Sequence, residues 1–212
     1  MSDPLTLDLS FFEGDSTTVA PKLLNLLLVR GRRVARIVEV EAYAGASDAA
    51  SHAYRGKTPR NATMFGPPGH LYVYFTYGMH FCANVVCREA GVASAVLLRA
   101  LAPLEGLEEM RALRPAARRD VDLCSGPARL CQAFGIVRAD DGADLVTGDH
   151  GITLVSDGFA PPAAPLRGTR VGLSAKAGAD GALLWRYAVT GDQNVSRPRP
   201  NSGLTAAETV VR

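Results

Sequence analysis

The run RVARIVEVEAY, residues 33–43, constrains this chain more than any other stretch. Its alternation fits a single long strand, with Val34, Val38 and Val40 on one face and Ala35, Ile37, Glu39, Glu41 and Tyr43 on the other. The second face begins apolar and ends polar. A strand of that kind leaves a core and enters a cleft, so chemistry is expected at its C-terminal end. Reactive and stacking groups crowd into the same region. Residues 39–84 hold the paired carboxylates Glu39 and Glu41, the imidazole of His52, the tyrosines Tyr43, Tyr54, Tyr72, Tyr74 and Tyr77, the basic Arg55, Lys57 and Arg60, and Asn84.

Turn and cap signals order the rest of the chain. Thr17 and Thr18 head a helix over 19–24, with Pro21 in its first turn, where a missing N–H costs nothing. Asn25 suits a left-handed position after it, before a strand over 26–30 and the turn Gly31-Arg32. Residues 44–69, rich in Gly, Ala, Ser, Asn and Pro, read as an irregular loop with a helical turn near 48–52; loops that long are usually functional. Strands over 71–76 and 80–86 form a hairpin with Tyr77-Gly78-Met79 at its tip. A strand over 94–100, a helix over 105–113 and a polar connection at 120–122 follow. A second helix spans 127–134, with Ser125 as N-cap, Pro127 in its first turn and Gly135 after it. Strands are expected at 152–155, 170–173 and 183–189, and a loop at 161–165. The length of 212 residues fits one domain, taken as 1–196, with a poorly ordered tail over 197–212.

Composition narrows the class. The chain is 47% hydrophobic and 21% charged, and no apolar run nears the roughly 18–20 residues of a membrane span. The opening MSDPLTLDLSFF lacks a secretory pattern, so a cytoplasmic protein is expected. Cys82, Cys87, Cys124 and Cys131 form no CxxC pair and have no histidine at zinc spacing; they read as buried thiols. A net charge of +2 says little about nucleic acid. The clustering of charge says more: Arg30, Arg32, Arg33 and Arg36; Arg55, Lys57 and Arg60; Arg111, Arg114, Arg118 and Arg119. Such patches neutralise a few phosphates without a high overall charge, and they serve equally as solvated faces.

The residues alone leave several readings open. Glu39 and Glu41, about 7 Å apart on one strand face, raise each other's proton affinity if shielded from water, or else pair with Arg36 or Arg99. His52 fits a structural role as well as a functional one, and Tyr72 and Tyr74 on one face fit a core as well as a stacking platform. Tyr77, at a tight tip where no core rewards it, is a candidate wedge between base steps. A metal-dependent hydrolase using Glu39, Glu41, Asp48 and His52 lacks any established ligand spacing. A non-catalytic nucleic-acid binder uses the same tyrosines and arginines.

Three runs carry a resemblance: VEVEAYAGASDAASHAYRGKTPRNATMFGPPGHLYVYFTYGMHFCANVV, AVLLRALAPLEGLEEMRALR and DLCSGPARLCQAFGI. Over roughly residues 10–195 the chain resembles the alkyladenine (3-methyladenine) DNA glycosylases. The resemblance implies a mixed α/β (α+β) single domain with a curved antiparallel sheet, flanking helices and a β-hairpin inserted into the minor groove. It implies a monomeric, cofactor-free and metal-free enzyme of the cytoplasm and nucleoid. Its partner would be double-stranded DNA bearing alkylated or deaminated purines, whose N-glycosidic bond an activated water hydrolyses. By the same resemblance Glu41 is the general base and Arg99 its orienting partner. Tyr43, His52 and Tyr74 stack on the flipped base, Asn84 excludes guanine, and Tyr77 intercalates. Met64 lies near the hairpin, and Arg55, Lys57 and Arg60 contact DNA. With Lys57 placed for phosphate contact, no lysine stands out as a Schiff-base nucleophile, which implies no strand-cleaving lyase step. The chain departs from the family at His80, where a second aromatic is expected, and at Asn25, where glycine is usual. A non-catalytic module of the same fold is the alternative.

Overall fold

The computed structural model describes residues 5–76 and 78–197. In chain order the elements are β1 (Leu5–Thr6), α1 (Ser16–Leu23), β2 (Leu27–Arg30), β3 (Arg33–Tyr43), β4 (Leu71–Thr76), β5 (His80–Val86), β6 (Ala95–Glu105), α2 (Leu107–Leu113), α3 (Pro127–Phe134), β7 (Ile152–Ser156), β8 (Leu166–Gly168) and β9 (Arg186–Ala188). The strands form one antiparallel sheet in the order β1-β7-β2-β3-β6-β5-β4, making a single-domain mixed α/β fold. The sheet branches at β3, whose first half pairs with β2 and whose second half, Glu39 to Glu41, pairs with β9. Among the described residues no helix is long and apolar enough to cross a membrane.

The main core lies on one face of the sheet under α1, α2 and α3, with Leu23, Ile37, Leu98, Met110 and Phe134 fully buried. A smaller cluster of Ala53, Met64, Tyr72, Val86, Ala93 and Ala95 lies apart from it, covered by the loop that follows β3. The four cysteines are free and buried.

The eleven-residue β3 has the expected bounds, but its alternation does not run through. Register against β6 slips three times, and two of the slips flank Glu39: Ile37 pairs with Leu101, Glu39 with Ala100 and Val40 with Leu98. Val38 is therefore an extra residue on β3 and Arg99 an extra residue on β6. Each bulge inverts the parity of its strand. Ala35 and Ile37 face the main core before the bulge, and Val40 and Ala42 face it afterwards. Glu39, Glu41 and Tyr43 thus point away from the face that Ala35 and Ile37 occupy, which corrects the simple alternation.

Other boundaries shift for local reasons. Helix α1 begins at Ser16, not 19, so Pro21 falls in the second turn. The Thr17 carbonyl that Pro21 cannot serve lies 3.4 Å from the Tyr187 hydroxyl, which donates to it. Asn25 is left-handed at φ 72°, as expected. Strand β6 continues to Glu105, and α2 starts only after left-handed Gly106. Gly126, not Ser125, precedes α3, and Ser125 instead accepts a hydrogen bond from Arg129. Residues 170–173 form no strand; the late pairing is made by β8 and β9. Strands β4 and β5 pair in regular register from Leu71 and Val85 to Thr76 and His80, so His80 opens an ordinary return strand. Tyr77 and residues 198–212, the expected wedge and nearly all of the expected tail, lie outside the described residues.

The turn out of β3 depends on Gly45, left-handed at φ +63°, where an added Cβ would lie 2.0 Å from the Ala93 carbonyl oxygen. Gly31 is also left-handed, at φ +58°, but open space surrounds it. Gly45→Ala is expected to cost about 3 kcal/mol or more, and Gly31→Ala about 1–2 kcal/mol. Urea unfolding midpoints of the two variants test that order.

Candidate active site

The polar face of the sheet carries the site. After the bulges, Glu39, Glu41 and Tyr43 on β3, Leu97 and Arg99 on β6, Cys82 and Asn84 on β5, and Tyr72 and Tyr74 on β4 turn away from the helical core. All of these but Glu39 and Glu41 line a cleft of about 510 Å³, together with His52 and Met64 from the loop, Pro127 and Ala128 from the start of α3, and residues 171–174. That volume lies within the range of about 300–1,000 Å³ usual for small-molecule sites.

Glu41 stands behind the cleft wall, with no side-chain exposure. Val171 N–H donates to its Oε1 at 2.8 Å, Tyr43 Oη donates to its Oε2 at 2.9 Å, and Arg99 Nη1 lies 3.2 Å from Oε1. Burial raises its proton affinity above the ordinary glutamate value. Arg99 and the two hydrogen bonds oppose that rise, and Glu39 adds slightly to it. The net result is a carboxylate more basic than one in water. In the sequence, the polar end of the run Glu-x-Glu-x-Tyr and the family resemblance both pointed here. The Val171 N–H is a backbone donor 130 residues away and leaves no mark in side-chain chemistry.

The aromatic wall has a defined geometry. His52 meets Tyr74 edge-on, with ring centroids 4.5 Å apart and planes at 85°. Its Nδ1 lies 3.2 Å from Tyr72 Oη. Loss of solvent, aided by the Arg60 charge, lowers the His52 pKa and favours the neutral ring. Burial pushes the Tyr72 phenol up to about 12 and the Tyr43 and Tyr74 phenols well above their usual value, so all three remain protonated donors. Asn84 is buried and donates to the Tyr72 carbonyl at 3.1 Å, which fixes its amide in the cleft wall. Met64 is 2% exposed and lines the cleft from within.

The basic clusters separate into two kinds. Arg30 pairs with Asp140, Arg33 with Glu109, Arg36 with Asp157, Arg111 with Asp120 and Arg119 with Asp122. These cations are already answered within the fold. Arg55, Lys57 and Arg60 are exposed, and among the described residues no ion pair engages them. The Arg60 guanidinium lies 5.9 Å from the Tyr74 ring centroid, so the free charge sits at the cleft edge.

Sequence reasoning missed Arg186, Arg170 and the 171–174 segment. Arg186 pairs with Glu39, and Arg170 is a fully buried partner of Asp48 that also stacks over Tyr43 at 4.8 Å. An arginine inside the apolar run LLWRYAV was an available signal, because a cation there needs a buried anion. Glu39, Glu41 and Asp48, named for a metal reading, are each bound to a guanidinium, and the described residues contain no cluster of three or more potential metal ligands.

The site is thus an aromatic-lined cleft backed by a buried carboxylate more basic than one in water. The family model described as methylpurine-DNA glycosylase matches residues 10–193. A protein of Burkholderia lata named "Putative 3-methyladenine DNA glycosylase" is 59% identical over 190 residues, covering 89% of this chain and 90% of that one. Same-named proteins of Streptomyces avermitilis and Koribacter versatilis are 48% and 45% identical, covering 94% and 90% of this chain and 93% and 92% of theirs. The chain belongs to the methylpurine-DNA glycosylase family of DNA N-glycosylases.

Asp48→Asn leaves the Arg170 charge buried and unmatched, and is expected to cost about 3–5 kcal/mol. Thermal unfolding checks this: the midpoint should fall by on the order of 10 °C for a domain of this size.

Proposed function

We propose that this DNA glycosylase removes alkylated and deaminated purines, such as 3-methyladenine, hypoxanthine and ethenoadenine, after flipping the nucleotide out of duplex DNA. The observation that carries the reading is the enclosed Glu41 carboxylate, held by Val171, Tyr43 and Arg99 at the end of the aromatic cleft. A buried base cannot reach such a carboxylate from inside a helix, so the nucleotide must be extruded.

The chemistry follows from charge. As the C1′–N bond lengthens, positive charge builds on the sugar and the bonding electrons pass to the base. Glu41 stabilises that charge and takes a proton from the water attacking C1′. The second lone pair of Oε2, beside the one engaged by Tyr43, is available to that water. His52 and Tyr74 touch each other and so form one wall, leaving Tyr43 as the other side of the slot. Electron-rich rings there favour a cationic methylpurine, which leaves as a neutral base without an acid. Asn84 rejects the exocyclic amino group of guanine. Arg55, Lys57 and Arg60 hold phosphates, and Tyr77 fills the vacated stack. The enzyme acts as a monomer at the nucleoid, without metal and without lyase activity, across one catalytic domain.

Duplex DNA treated with a methylating agent, incubated with excess protein and a chelator and then with hot alkali, tests the scheme. Wild type should nick only after alkali, and Glu41→Gln should slow single-turnover release by about 10²–10⁴-fold. Retained rate in Glu41→Gln would remove the base assignment, and nicking without alkali would remove the monofunctional one. Asn84→Ser should gain slow release of unmodified guanine. The absence of any such gain would dismiss the gatekeeping role.

A further inference from the structure

Glu39 has no place in the scheme above, yet it is as deeply buried as Glu41. Its Oε1 accepts from Arg99 Nε at 3.1 Å and from Arg186 Nε, and its Oε2 accepts from the Ser196 N–H at 2.7 Å. Arg186 also donates to the Ser196 carbonyl at 3.3 Å. A carboxylate so filled has little left for water or substrate. Burying it as an ion is also costly compared with an apolar residue of the same size.

We infer that Glu39 is a positioning residue for catalysis: it holds Arg99 by Nε so that a single guanidinium nitrogen reaches Glu41, while Arg186 balances Glu39 and keeps it from drawing Arg99 away. The inference rests on Glu41 being the base. A guanidinium is a planar fork that pairs with carboxylates through two parallel hydrogen bonds when free to turn. Turned onto Glu41 in that way, Arg99 would occupy both oxygens and suppress the base. Anchored at Nε, it engages Oε1 through Nη1 and leaves Oε2 to Tyr43 and water. The bulge that makes Arg99 the extra residue of β6 is what places it between the two glutamates.

The groups facing Glu41 are Glu39 and Tyr43 on its own strand, Arg99 from β6, Arg186 as its register partner on β9, Tyr74 from β4, Cys82 from β5, and Arg170 stacked on Tyr43. The base works ionised, so the rate falls as pH drops through its pKa. Glu39→Gln removes a neighbouring negative charge and frees Arg99 to pair fully with Glu41. Both effects move the acid limb of the pH–rate profile to lower pH, by about one unit, and a weaker base lowers the plateau by about tenfold. Arg186→Gln acts in the opposite sense. Glu39 then takes Arg99 for itself, Glu41 loses its cation, and the acid limb moves up. Arg186→Lys keeps the charge and should return the limb toward wild type.

The measurement is single-turnover release of methylpurines from methylated duplex DNA across the acid range. Opposite shifts in Glu39→Gln and Arg186→Gln support the inference, since a purely structural role would lower stability without moving the limbs apart. Unshifted limbs, or shifts in one direction, overturn it. If Glu39→Gln does not fold, the Arg186 variants decide: an upward shift with Gln and recovery with Lys support the inference, and any other pattern overturns it. Glu41→Gln runs alongside. If it is inactive while the limbs stay fixed, only the positioning role falls; if it is active, the base assignment and the positioning role fall together.

Discussion

Two carboxylates and two guanidiniums buried side by side set the terms for this fold. Glu39, Glu41, Arg99 and Arg186 come from β3, β6 and β9, and none is more than 5% exposed. An isolated charge in such a place would be intolerable, so each of these strands holds the others at a fixed distance. The branching of the sheet at β3 follows from this. β9 lies beside Glu39 and Glu41 because Arg186 must reach Glu39, and the first half of β3, which carries no buried charge, pairs with β2 instead.

The pattern of alternation was legible and its interruption was not. The bounds of β3, β4, β5 and α3 agree with the periodicity and cap signals in their residues. The bulges at Val38 and Arg99 carry no such signal, because a bulge is negotiated between two strands about sixty residues apart and neither strand records it alone. Yet the bulges decide which face Glu39 and Glu41 join. The same limit explains α1, where Pro21 looked like a first-turn residue until Tyr187, 170 positions from Thr17, was seen to serve the carbonyl that proline leaves open.

For the site, legibility followed side-chain chemistry. Glu41, Tyr43, His52, Tyr74, Asn84 and Arg99 are close in sequence or lie in runs of distinctive composition, and the fold brings them around one cleft. What escaped notice works through backbone or through distance: the Val171 N–H, the Ser196 N–H, and Arg170 with its link to Asp48 across 122 positions. Charge clustering left its two readings open for a related reason. Arginines that look like an electrostatic footprint in one dimension become structural counter-ions once Asp140, Glu109 and Asp157 fold against them.

The bond from the Ser196 N–H to Glu39 spans 157 positions and also bears on how the protein is made. During synthesis Glu39 and Glu41 leave the ribosome early, while Arg186 and Ser196 follow only after most of the chain has emerged. Until they do, the two glutamates have Arg99 alone as a counter-charge, and Glu39 lacks two of its three hydrogen-bond partners. A nascent chain therefore carries an unfinished centre. The paired glutamates are completed by some of the last contacts the described chain can form, so a truncated product would leave Glu39 without its second counter-charge.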